Sequence, residues 1–305
     1  MTMDILEVIT KYPDQESCTS YLEGLKWQGE PQCPYCKSKQ STKRHGTQRY
    51  QCNTCNRSYS VLVGTIFEDT KLALPKWFLA ITLILNAKKG LSSRQLGRDL
   101  GINRNTAWYL QMRIRKAMEE GNDKGLLKGI VEIDETYIGG AKTNHSKKKR
   151  QARRNSGLQI TGMQDKQAVI GLLERAGRIK LQAVEKAQGK TIKPIIEQTV
   201  SKAASLVTDG FGGYAGLNKQ YKEHQVLNKD KEEYVRGVFH TNTIEGFWTL
   251  LKRGIYGQYH KVSVRHLQKY LNEFTFKYNH RAEKSIFDLL VNKCIMTSQY
   301  VPVKL

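Results

Sequence analysis

Apolar and polar residues recur with two different periods along this chain of 305 residues, and each period predicts a different kind of element. Residues 74–120 carry apolar residues at helical spacing, which predicts three helices. From residue 126 onward the apolar runs are short and indicate four strands, with one helix before the last strand. The predicted strands cover 129–140, 166–175, 178–187 and 205–210, and the helix covers 191–204. This order is typical of a mixed α/β domain.

Two further helices are predicted after these strands. Residues 240–254 have helical spacing and carry Glu245, and Lys252 lies almost two turns later on the same face. The segment 264–294 repeats apolar residues with the same period, and we interpret it as packing against the sheet. The apolar positions of its first half are Leu267, Tyr270, Leu271, Phe274 and Tyr278.

The charge of the chain indicates its partner. It has 50 Lys and Arg residues against 28 Asp and Glu residues, which gives a formal net charge of +22. Such a charge attracts polyanions, of which nucleic acids and anionic membranes are the commonest. The best apolar run, 77–87, is shorter than the roughly 20 residues that cross a bilayer, so no membrane is expected. The first residues lack the features of a secretory signal, which places the protein in the cytoplasm.

Four of the six cysteines form two matched pairs. Cys33 and Cys36 are separated from Cys52 and Cys55 by 15 residues, the spacing of a tetrahedral Zn²⁺ site. The stretch between the pairs contains a glycine turn and suits a small hairpin, so we interpret the segment as a zinc ribbon with a structural Zn²⁺. A redox dithiol and a disulfide are the alternatives, and a cytoplasmic chain makes both less favoured. The other two cysteines, Cys18 and Cys294, are expected to be ordinary buried thiols.

The segment 92–115 predicts a helix-turn-helix. Its first helix ends at Gly101, a tight turn follows, and a second helix begins near Asn103. The second helix of such a motif presents its first polar residues to base edges in the major groove. These candidate DNA-binding residues are Asn103, Arg104, Asn105 and Thr106. A plain three-helix bundle with a glycine-containing connection is the alternative.

Three acidic residues suggest a metal site in the α/β part of the chain. Asp134 shares one face of the first predicted strand with Glu132, while Val131 faces the other way. Asp209 ends the fourth predicted strand, and Glu245 belongs to a helix. Each has an ordinary alternative: a solvated strand position, a turn dipeptide and a helix capping box, respectively.

Taken together, these acids favour a divalent-metal site. Carboxylate oxygens suit Mg²⁺ or Mn²⁺. Two ions roughly 4 Å apart would activate a water or a 3′-hydroxyl for in-line attack on a phosphodiester. The basic surface would then collect DNA, and the metal ions would neutralise the acidic cluster where the chemistry occurs.

Nearly the whole chain resembles bacterial insertion-sequence transposases of the DDE type. The resemblance is carried by "CPYC…CNTC", "VEIDETYIGG", "VTDGFGGY", "HTNTIEGFWTLLKRGIYG" and "YLNEFTFKYNHR". It implies a multidomain α/β protein in which a zinc ribbon and a helix-turn-helix domain precede a ribonuclease-H-like mixed α/β catalytic domain. The expected ranges are 12–64 for the ribbon, 70–122 for the helix-turn-helix and 126–292 for the catalytic domain.

The resemblance also implies roles for individual residues. Asp134, Asp209 and Glu245 are the implied catalytic ligands of Mg²⁺ or Mn²⁺, and 35 residues separate the last two. Lys252, with Arg253 beside it, is the implied DNA contact near the cut. Because some members of the group use Asn or His as the third ligand, the substitutes to be tested for Glu245 are Asn242, Glu135 and Glu273.

The implied reaction is hydrolysis at the terminal inverted repeats of the element, followed by attack of the new 3′-hydroxyls on target DNA. The expected partner is therefore double-stranded DNA, with a homo-oligomer assembled on it near the nucleoid. A basic stretch between the first two strands is interpreted either as a loop that holds the DNA backbone or as a solvated insertion. Its candidate DNA-binding residues are Lys147, Lys148, Lys149 and Arg150.

Two other functions use the same sequence features. A DNA-binding regulator derived from a transposase would keep the ribbon and the helix-turn-helix but would tolerate loss of any carboxylate. A metal-dependent nuclease would share the acidic site and lack strand transfer. The presence of Asp134, Asp209 and Glu245 together favours the enzyme over the regulator.

Overall fold

The computed structural model describes residues 3–121, 125–139, 155 and 166–297. The chain forms two compact units. One contains the described residues up to Glu119 together with those from His280 onward, and the other is Glu120–Asn279.

The first unit begins with two helices and a small sheet. Helix α1 is Ile5–Lys11 and helix α2 is Gln15–Trp27. Strands β1 (Ser41–Lys43), β2 (Tyr50–Cys52) and β3 (Ser58–Tyr59) form an antiparallel sheet in the order β1-β2-β3. The hairpin predicted between the cysteine pairs is confirmed by the pairing of β1 with β2. The two helices were not predicted.

The four ribbon cysteines converge on one point. Their sulfur atoms all lie within 4.8 Å of one another. Cys33 Sγ is 3.7 Å from Cys55 Sγ, and Cys36 Sγ is 3.5 Å from Cys52 Sγ. A tetrahedral zinc ion with Zn–S bonds of about 2.3 Å separates its ligand sulfurs by about 3.8 Å. The cluster therefore fits one zinc ion.

The four thiols of this cluster share their protons. The backbone N–H of Cys55, with help from that of Thr54, lowers the pKa of Cys52 to about 6 against the opposing effect of burial. For Cys36, the backbone N–H of Ser38 is outweighed by desolvation and hydrogen bonds with the other three thiols, which raise the pKa to about 12. Cys52 is therefore the thiol of this pair that more readily adopts the thiolate form, which is the form that binds metal.

Three helices follow the ribbon, as predicted, and a tight turn at Gly101 joins the second to the third. Helix α3 is Leu74–Asn86, α4 is Ser93–Leu100 and α5 is Arg104–Ala117. Ser92 caps α4, and Gly101 ends it in the left-handed region with φ of 59°. The turn is tight because position 97 has no side chain: a Cβ on Gly97 would lie 3.0 Å from the carbonyl oxygen of Ile102.

The second unit is built on a five-stranded mixed sheet with one helix between its third and fourth strands. Its elements are β4 (Ile130–Ile138), β5 (Gln167–Glu174), β6 (Ile179–Val184), α6 (Gly189–Thr199), β7 (Ser205–Asp209) and β8 (Glu223–Leu227). The strand order is β6-β5-β4-β7-β8, in which β5 is antiparallel to both of its neighbours and β7 is parallel to both of its own. The first three strands, the helix and the fourth strand are the elements that the sequence predicted.

The chain after β8 forms a short hairpin and then helices. Strands β9 (Val235–Arg236) and β10 (Phe239–His240) pair with each other, and α7 is Asn242–Gly254. A π-helical turn, Ile255–Tyr259, links α7 toward α8 (Val264–Asn279). The last helix, α9, is Ile286–Met296.

The sheet has an apolar core on each face. Val131 and Ile133 of β4 pack with residues of α6 on one face. Apolar residues of α7 and α8 pack on the other face, and Leu267, Leu271 and Phe274 belong to that core. The predicted packing of α8 on the sheet is thereby confirmed.

Helix α9 lies in the first unit, so the prediction that the segment 264–294 packs on the sheet is wrong for its second half. The predicted catalytic range also extends into that helix, to residue 292. The helix packs with α2, α3 and α5 of the first unit. Its apolar residues Phe287, Leu290 and Cys294 are buried. Among the described residues, no helix combines the length and apolarity needed to cross a lipid bilayer.

A buried carboxylate from the sheet holds the start of α7. Glu132 of β4 is fully buried, and its Oε2 accepts a hydrogen bond of 3.0 Å from the backbone N–H of Ile244. Its Oε1 accepts from Thr243 Oγ1 at 2.8 Å and from the Arg175 guanidinium at 2.9 Å. The first N–H groups of a helix have no partner within the helix, and the local cap residue, Thr241, makes no capping bond with its side chain. Glu132 therefore caps α7 from a neighbouring strand.

Replacement of one ribbon cysteine should release the metal. We expect Cys36→Ser to bind far less than the roughly one zinc ion per chain of the wild type, because a tetrahedral site loses one of its four ligands. Metal analysis of the purified protein measures this. Cys18→Ala is the control, since Cys18 is buried outside the cluster and its loss should leave the zinc content unchanged.

Replacement of the buried carboxylate should destabilise the second unit. We expect Glu132→Gln to lower the free energy of unfolding by about 1–3 kcal/mol, because the hydrogen bonds to the buried carboxylate are weakened and its pair with Arg175 is broken. Chemical denaturation measures this. Glu233→Gln is the matched control, since Glu233 pairs with Arg236 at 2.7 Å near the surface, where such a pair contributes little. Equal losses in the two variants would contradict the capping role of Glu132.

Candidate active site

Two of the predicted acids lie side by side because two parallel strands are in register. β4 pairs with β7 from Ile130 with Ser205 to Glu132 with Val207. Continuing that register by two residues places Asp134 beside Asp209, on the same face of the sheet. Asp209 is the last residue of β7, and its Oδ1 accepts a hydrogen bond of 3.0 Å from the backbone N–H of Phe211. The turn after β7 therefore fixes the orientation of this carboxylate.

A third carboxylate, that of Glu135, joins these two. One oxygen atom from each of Asp134, Glu135 and Asp209 lies within 4.8 Å of the other two. Alternation along β4 points Glu135 away from the face of Asp134. An oxygen of Glu135 nevertheless lies within 4.8 Å of one from Asp134.

A buried tyrosine holds Glu135. Tyr214 Oη donates a hydrogen bond of 2.6 Å to Glu135 Oε2. Burial, and secondly the charge of Glu135, raise the pKa of Tyr214 far above its usual value. The phenol therefore stays protonated and acts as a donor at every physiological pH.

The spacing of the three carboxylates suits a divalent cation. An octahedral ion with metal–oxygen bonds of about 2.1 Å separates its ligand oxygens by about 3–4 Å. The three oxygens all lie within 4.8 Å of one another, so at most small side-chain movements would complete the coordination. All three residues are half-buried, which leaves the site open to water and substrate.

A tryptophan from α7 contacts the same cluster. Trp248 Nε1 donates a hydrogen bond of 2.9 Å to Asp134 Oδ2. The indole ring occupies space above Gly171, which pairs with Asp134 across β4 and β5. A Cβ on Gly171 would lie 2.6 Å from Cζ2 and Cη2 of Trp248. The absence of a side chain at this position allows the ring to lie against the sheet.

Glu245, the predicted third acid, lies in the first turn of α7. It is half-buried, and its Oε1 accepts a hydrogen bond of 2.9 Å from Thr241 Oγ1. Its carboxylate is not one of the three that lie within 4.8 Å of one another. Lys252 and Arg253 lie in the last turn of the same helix, with Lys252 half-buried and Arg253 exposed.

The other two substitutes for the third ligand lie in different surroundings. Asn242 is the exposed first residue of α7. Glu273 of α8 is fully buried and pairs with Lys277 Nζ at 2.6 Å, and Tyr259 Oη donates to both of its oxygens. Glu273 therefore has the surroundings of a packing residue that joins the π-helical turn to α8.

The start of α5 is open to solvent. Its four predicted DNA-binding residues are exposed, and Asn103 caps the helix by accepting a hydrogen bond of 2.8 Å from the Asn105 N–H. Four further predicted contacts lie outside the described residues: Lys147, Lys148, Lys149 and Arg150.

The sequence analysis predicted no role for Gly171, Tyr214 or Arg175. Of these, Gly171 could have been recognised from the sequence. A glycine inside a strand pattern, as in "AVIGLLE", often marks a close approach by another group. The partners of Glu132 and Glu135 had no such signal, because they come from distant parts of the chain.

Comparison with known proteins gives two family matches. Residues 126–279 match the ISXO2-like transposase domain, and residues 13–58 match the transposase zinc-ribbon domain. A protein in the transposable element ISH50 of Halobacterium salinarum is 28% identical over 281 residues, which cover 88% of this chain and 92% of that protein.

Solved structures of a transposase give weaker matches. A pre-cleavage Mos1 transpososome matches with a TM-score of 0.26 and 12% identity, over 72% of this chain and 78% of that chain. The Mos1 strand transfer complex matches with a TM-score of 0.29 and 12% identity, over 73% and 78%. Likenesses of this size carry no argument about the chain.

The family therefore follows from the sequence matches, and the order of domains and the paired acids agree with it. The first family model covers half of the chain, and the second covers the segment that holds the four-cysteine cluster. The chain belongs to the ISXO2-like transposase family.

Proposed function

We propose that this transposase binds the terminal inverted repeats of its own insertion sequence, hydrolyses phosphodiester bonds there, and transfers the resulting 3′-hydroxyls to target DNA. The observation that carries the proposal is the convergence of Asp134, Glu135 and Asp209 within 4.8 Å at the end of β7. Carboxylates drawn together in this way repel one another unless a cation lies between them. The substrate is itself an anion, so the cation also offsets the repulsion between these acids and the DNA strand that is cut.

The proposed metal is Mg²⁺ or Mn²⁺, because an all-carboxylate set suits hard divalent ions. When bound, such an ion supplies Lewis-acid activation of a water or a 3′-hydroxyl and stabilises charge on the phosphate. Asp134 and Asp209 hold it between two strands whose register fixes their separation. The half-buried position of both acids leaves one side of the site open to the DNA strand.

Glu245 is the proposed third catalytic ligand. It projects from the first turn of α7, whose start is fixed to β4 through Glu132, so its helix is held against the strand that carries Asp134. Glu135 is the competing candidate, since its oxygen is already within the cluster. The two assignments predict different behaviour for the corresponding variants.

DNA recognition is proposed for the first unit. The exposed start of α5 would enter the major groove with Arg104 and Asn105 toward base edges, because side chains of these types read guanine and adenine.

Lys252 and Arg253 of the second unit would contact backbone phosphates near the cut, because both are positively charged and lie on the helix of Glu245. Lys252 is half-buried and Arg253 is exposed. Two transposon ends must be joined to one target, so a homo-oligomer on the DNA is part of the proposal.

We propose that three ranges of the chain divide the function among them. Residues 12–64 would hold zinc, 70–122 would read DNA, and 126–292 would supply catalysis. Within the last range, the acids and their supporting contacts all lie in residues 120–279.

The acids should be essential for cleavage. With Mg²⁺ or Mn²⁺ and labelled duplex DNA carrying the element's own end, we expect Asp134→Asn, Asp209→Asn and Glu245→Gln each to lower the cleavage rate by about a thousandfold or more. Binding of the same DNA should be retained. Asp230→Asn removes an exposed carboxylate from the same unit and is the control that should keep full activity.

The same assay separates the candidates for the third ligand. A Glu135→Gln variant that loses activity while Glu245→Gln keeps it would move the third ligand to Glu135. Wild-type protein that binds its ends tightly and never cleaves them would favour a DNA-binding regulator.

The first turn of α5 should decide which sequence is bound. We expect Arg104→Ala to weaken binding to end DNA by about 10- to 100-fold and to reduce the preference for ends over random duplex, because a base contact is worth about 1–3 kcal/mol. Lys89→Ala removes the same charge from an exposed position between α3 and α4. It should weaken binding slightly and equally for both DNAs, and an equal loss of preference in the two variants would refute the assignment.

A further inference from the structure

We propose that Trp248 is a positioning residue for the metal site: its indole N–H sets the orientation of the Asp134 carboxylate, and the missing side chain of Gly171 makes room for the indole. The inference rests on the proposed function, in that Asp134 is taken as a metal ligand. It adds to that function two residues that do not touch substrate or metal.

The need for such a device comes from the carboxylate itself. The terminal torsion of an aspartate is broad and roughly two-fold, so rotamer preference alone does not fix where its two oxygens point. A ligand that rotates freely loses entropy when it binds an ion. A fixed hydrogen bond to one oxygen removes much of that cost before binding, as partners of metal ligands commonly do.

The geometry meets this need. The Trp248 Nε1 to Asp134 Oδ2 distance is 2.9 Å, which is a normal length for an N–H donor. The indole is almost fully buried and belongs to the core formed by α7, α8 and the sheet. Because the packed core holds the N–H donor in place, the hydrogen bond is kept only when the carboxylate adopts one orientation.

The choice of tryptophan has a chemical reason. An indole N–H donates and has no lone pair to offer a metal, so it cannot compete with Asp134 for the ion. It is also neutral, unlike lysine or arginine. A cation at this position would neutralise the charge that attracts the metal, whereas the indole orients the carboxylate and leaves its negative charge in place.

Gly171 is the second half of the arrangement. It is the direct partner of Asp134 across β4 and β5, so any side chain at 171 would stand on the same face and beside the carboxylate. A Cβ there would lie 2.6 Å from two ring atoms of Trp248 and 3.0 Å from Ile244 Cδ1. Both contacts belong to rigid groups in a core, so even alanine would displace the indole and its N–H.

The test compares two tryptophans that make equal hydrogen bonds. Trp77 is also buried, and its Nε1 donates to Thr70 Oγ1 at 2.9 Å in the first unit. Trp248→Phe and Trp77→Phe therefore remove the same bond from a packed ring, and similar falls in the unfolding midpoint are expected for both. Binding of Mn²⁺ to the zinc-loaded protein without DNA is then measured by titration.

We expect Trp248→Phe to weaken Mn²⁺ binding about tenfold or more, which is the usual effect of removing a partner of a metal ligand, while Trp77→Phe leaves it unchanged. The Mn²⁺ concentration that gives half-maximal cleavage should rise by the same factor. Gly171→Ala keeps the indole and displaces it, so it should weaken Mn²⁺ binding in the same direction. Wild-type Mn²⁺ affinity in a folded Trp248→Phe variant would overturn the proposal.

The wild-type protein gives a readout that needs no core variant. The chain has four tryptophans, so nitrogen-15 labelling yields four indole N–H resonances. One of them should shift as Mg²⁺ is added, and the shift should disappear in Asp134→Asn. If no indole resonance responds to Mg²⁺, the proposal fails even where the variants do not fold.

Failure of this inference can be told apart from failure of the proposed function. Asp134→Asn that keeps wild-type Mn²⁺ affinity would remove Asp134 from the metal site, and the proposed function would fall with it. Asp134→Asn that loses the metal, together with an unaffected Trp248→Phe, would refute only the positioning role.

Discussion

The ion pair between the buried Glu132 and the half-buried Arg175 is the interaction on which the candidate active site depends. A carboxylate without exposed surface must be paired or hydrogen-bonded, because an isolated buried charge is strongly destabilising. Glu132 meets this requirement with three groups from two places: the Arg175 guanidinium just after β5, and the Thr243 hydroxyl and Ile244 N–H at the start of α7. Arg175 also donates to the carbonyl oxygen of His240 at 3.0 Å, which joins the β9-β10 hairpin to the same point. One carboxylate thus links the sheet, the hairpin and the helix that carries Glu245 and Trp248.

That link explains how side chains far apart in sequence can act together. Glu132 and Asp134 are two residues apart on one strand and therefore share a face. The first fixes the start of α7, and the second receives the N–H of Trp248 less than two turns later on the same helix. Because both contacts join β4 to α7, a shift of the helix along the strand would break both. The packed core around Trp248 and the buried ion pair therefore support each other.

The sequence predicted those parts of the molecule whose signal is local. Matched cysteine pairs, helix caps and strand alternation are all read from neighbouring residues. The ribbon, the turn at Gly101 and the strand that ends at Asp209 could therefore be predicted. The partners of Glu132 and Glu135 could not, because Arg175 and Tyr214 lie more than forty residues away and nothing near them in sequence indicates what they contact. Glu132 shows what the sequence could not predict. Strand alternation placed it correctly on the same face as Asp134, but only the fold shows that Glu132 caps a helix while Asp134 joins the carboxylate cluster.

The same electrostatic reasoning applies to Glu132 and to Asp134 and predicts a different partner for each. Glu132 is buried away from solvent, where a cationic partner offsets its charge and no metal is needed. Asp134 is half-buried beside two other acids and accepts a hydrogen bond from a neutral indole, while Glu135 accepts one from a phenol that burial keeps protonated. Neutral donors orient a carboxylate without cancelling its charge. These two donors therefore leave the charge of the acids in place, and three acids within 4.8 Å of one another suit a divalent cation.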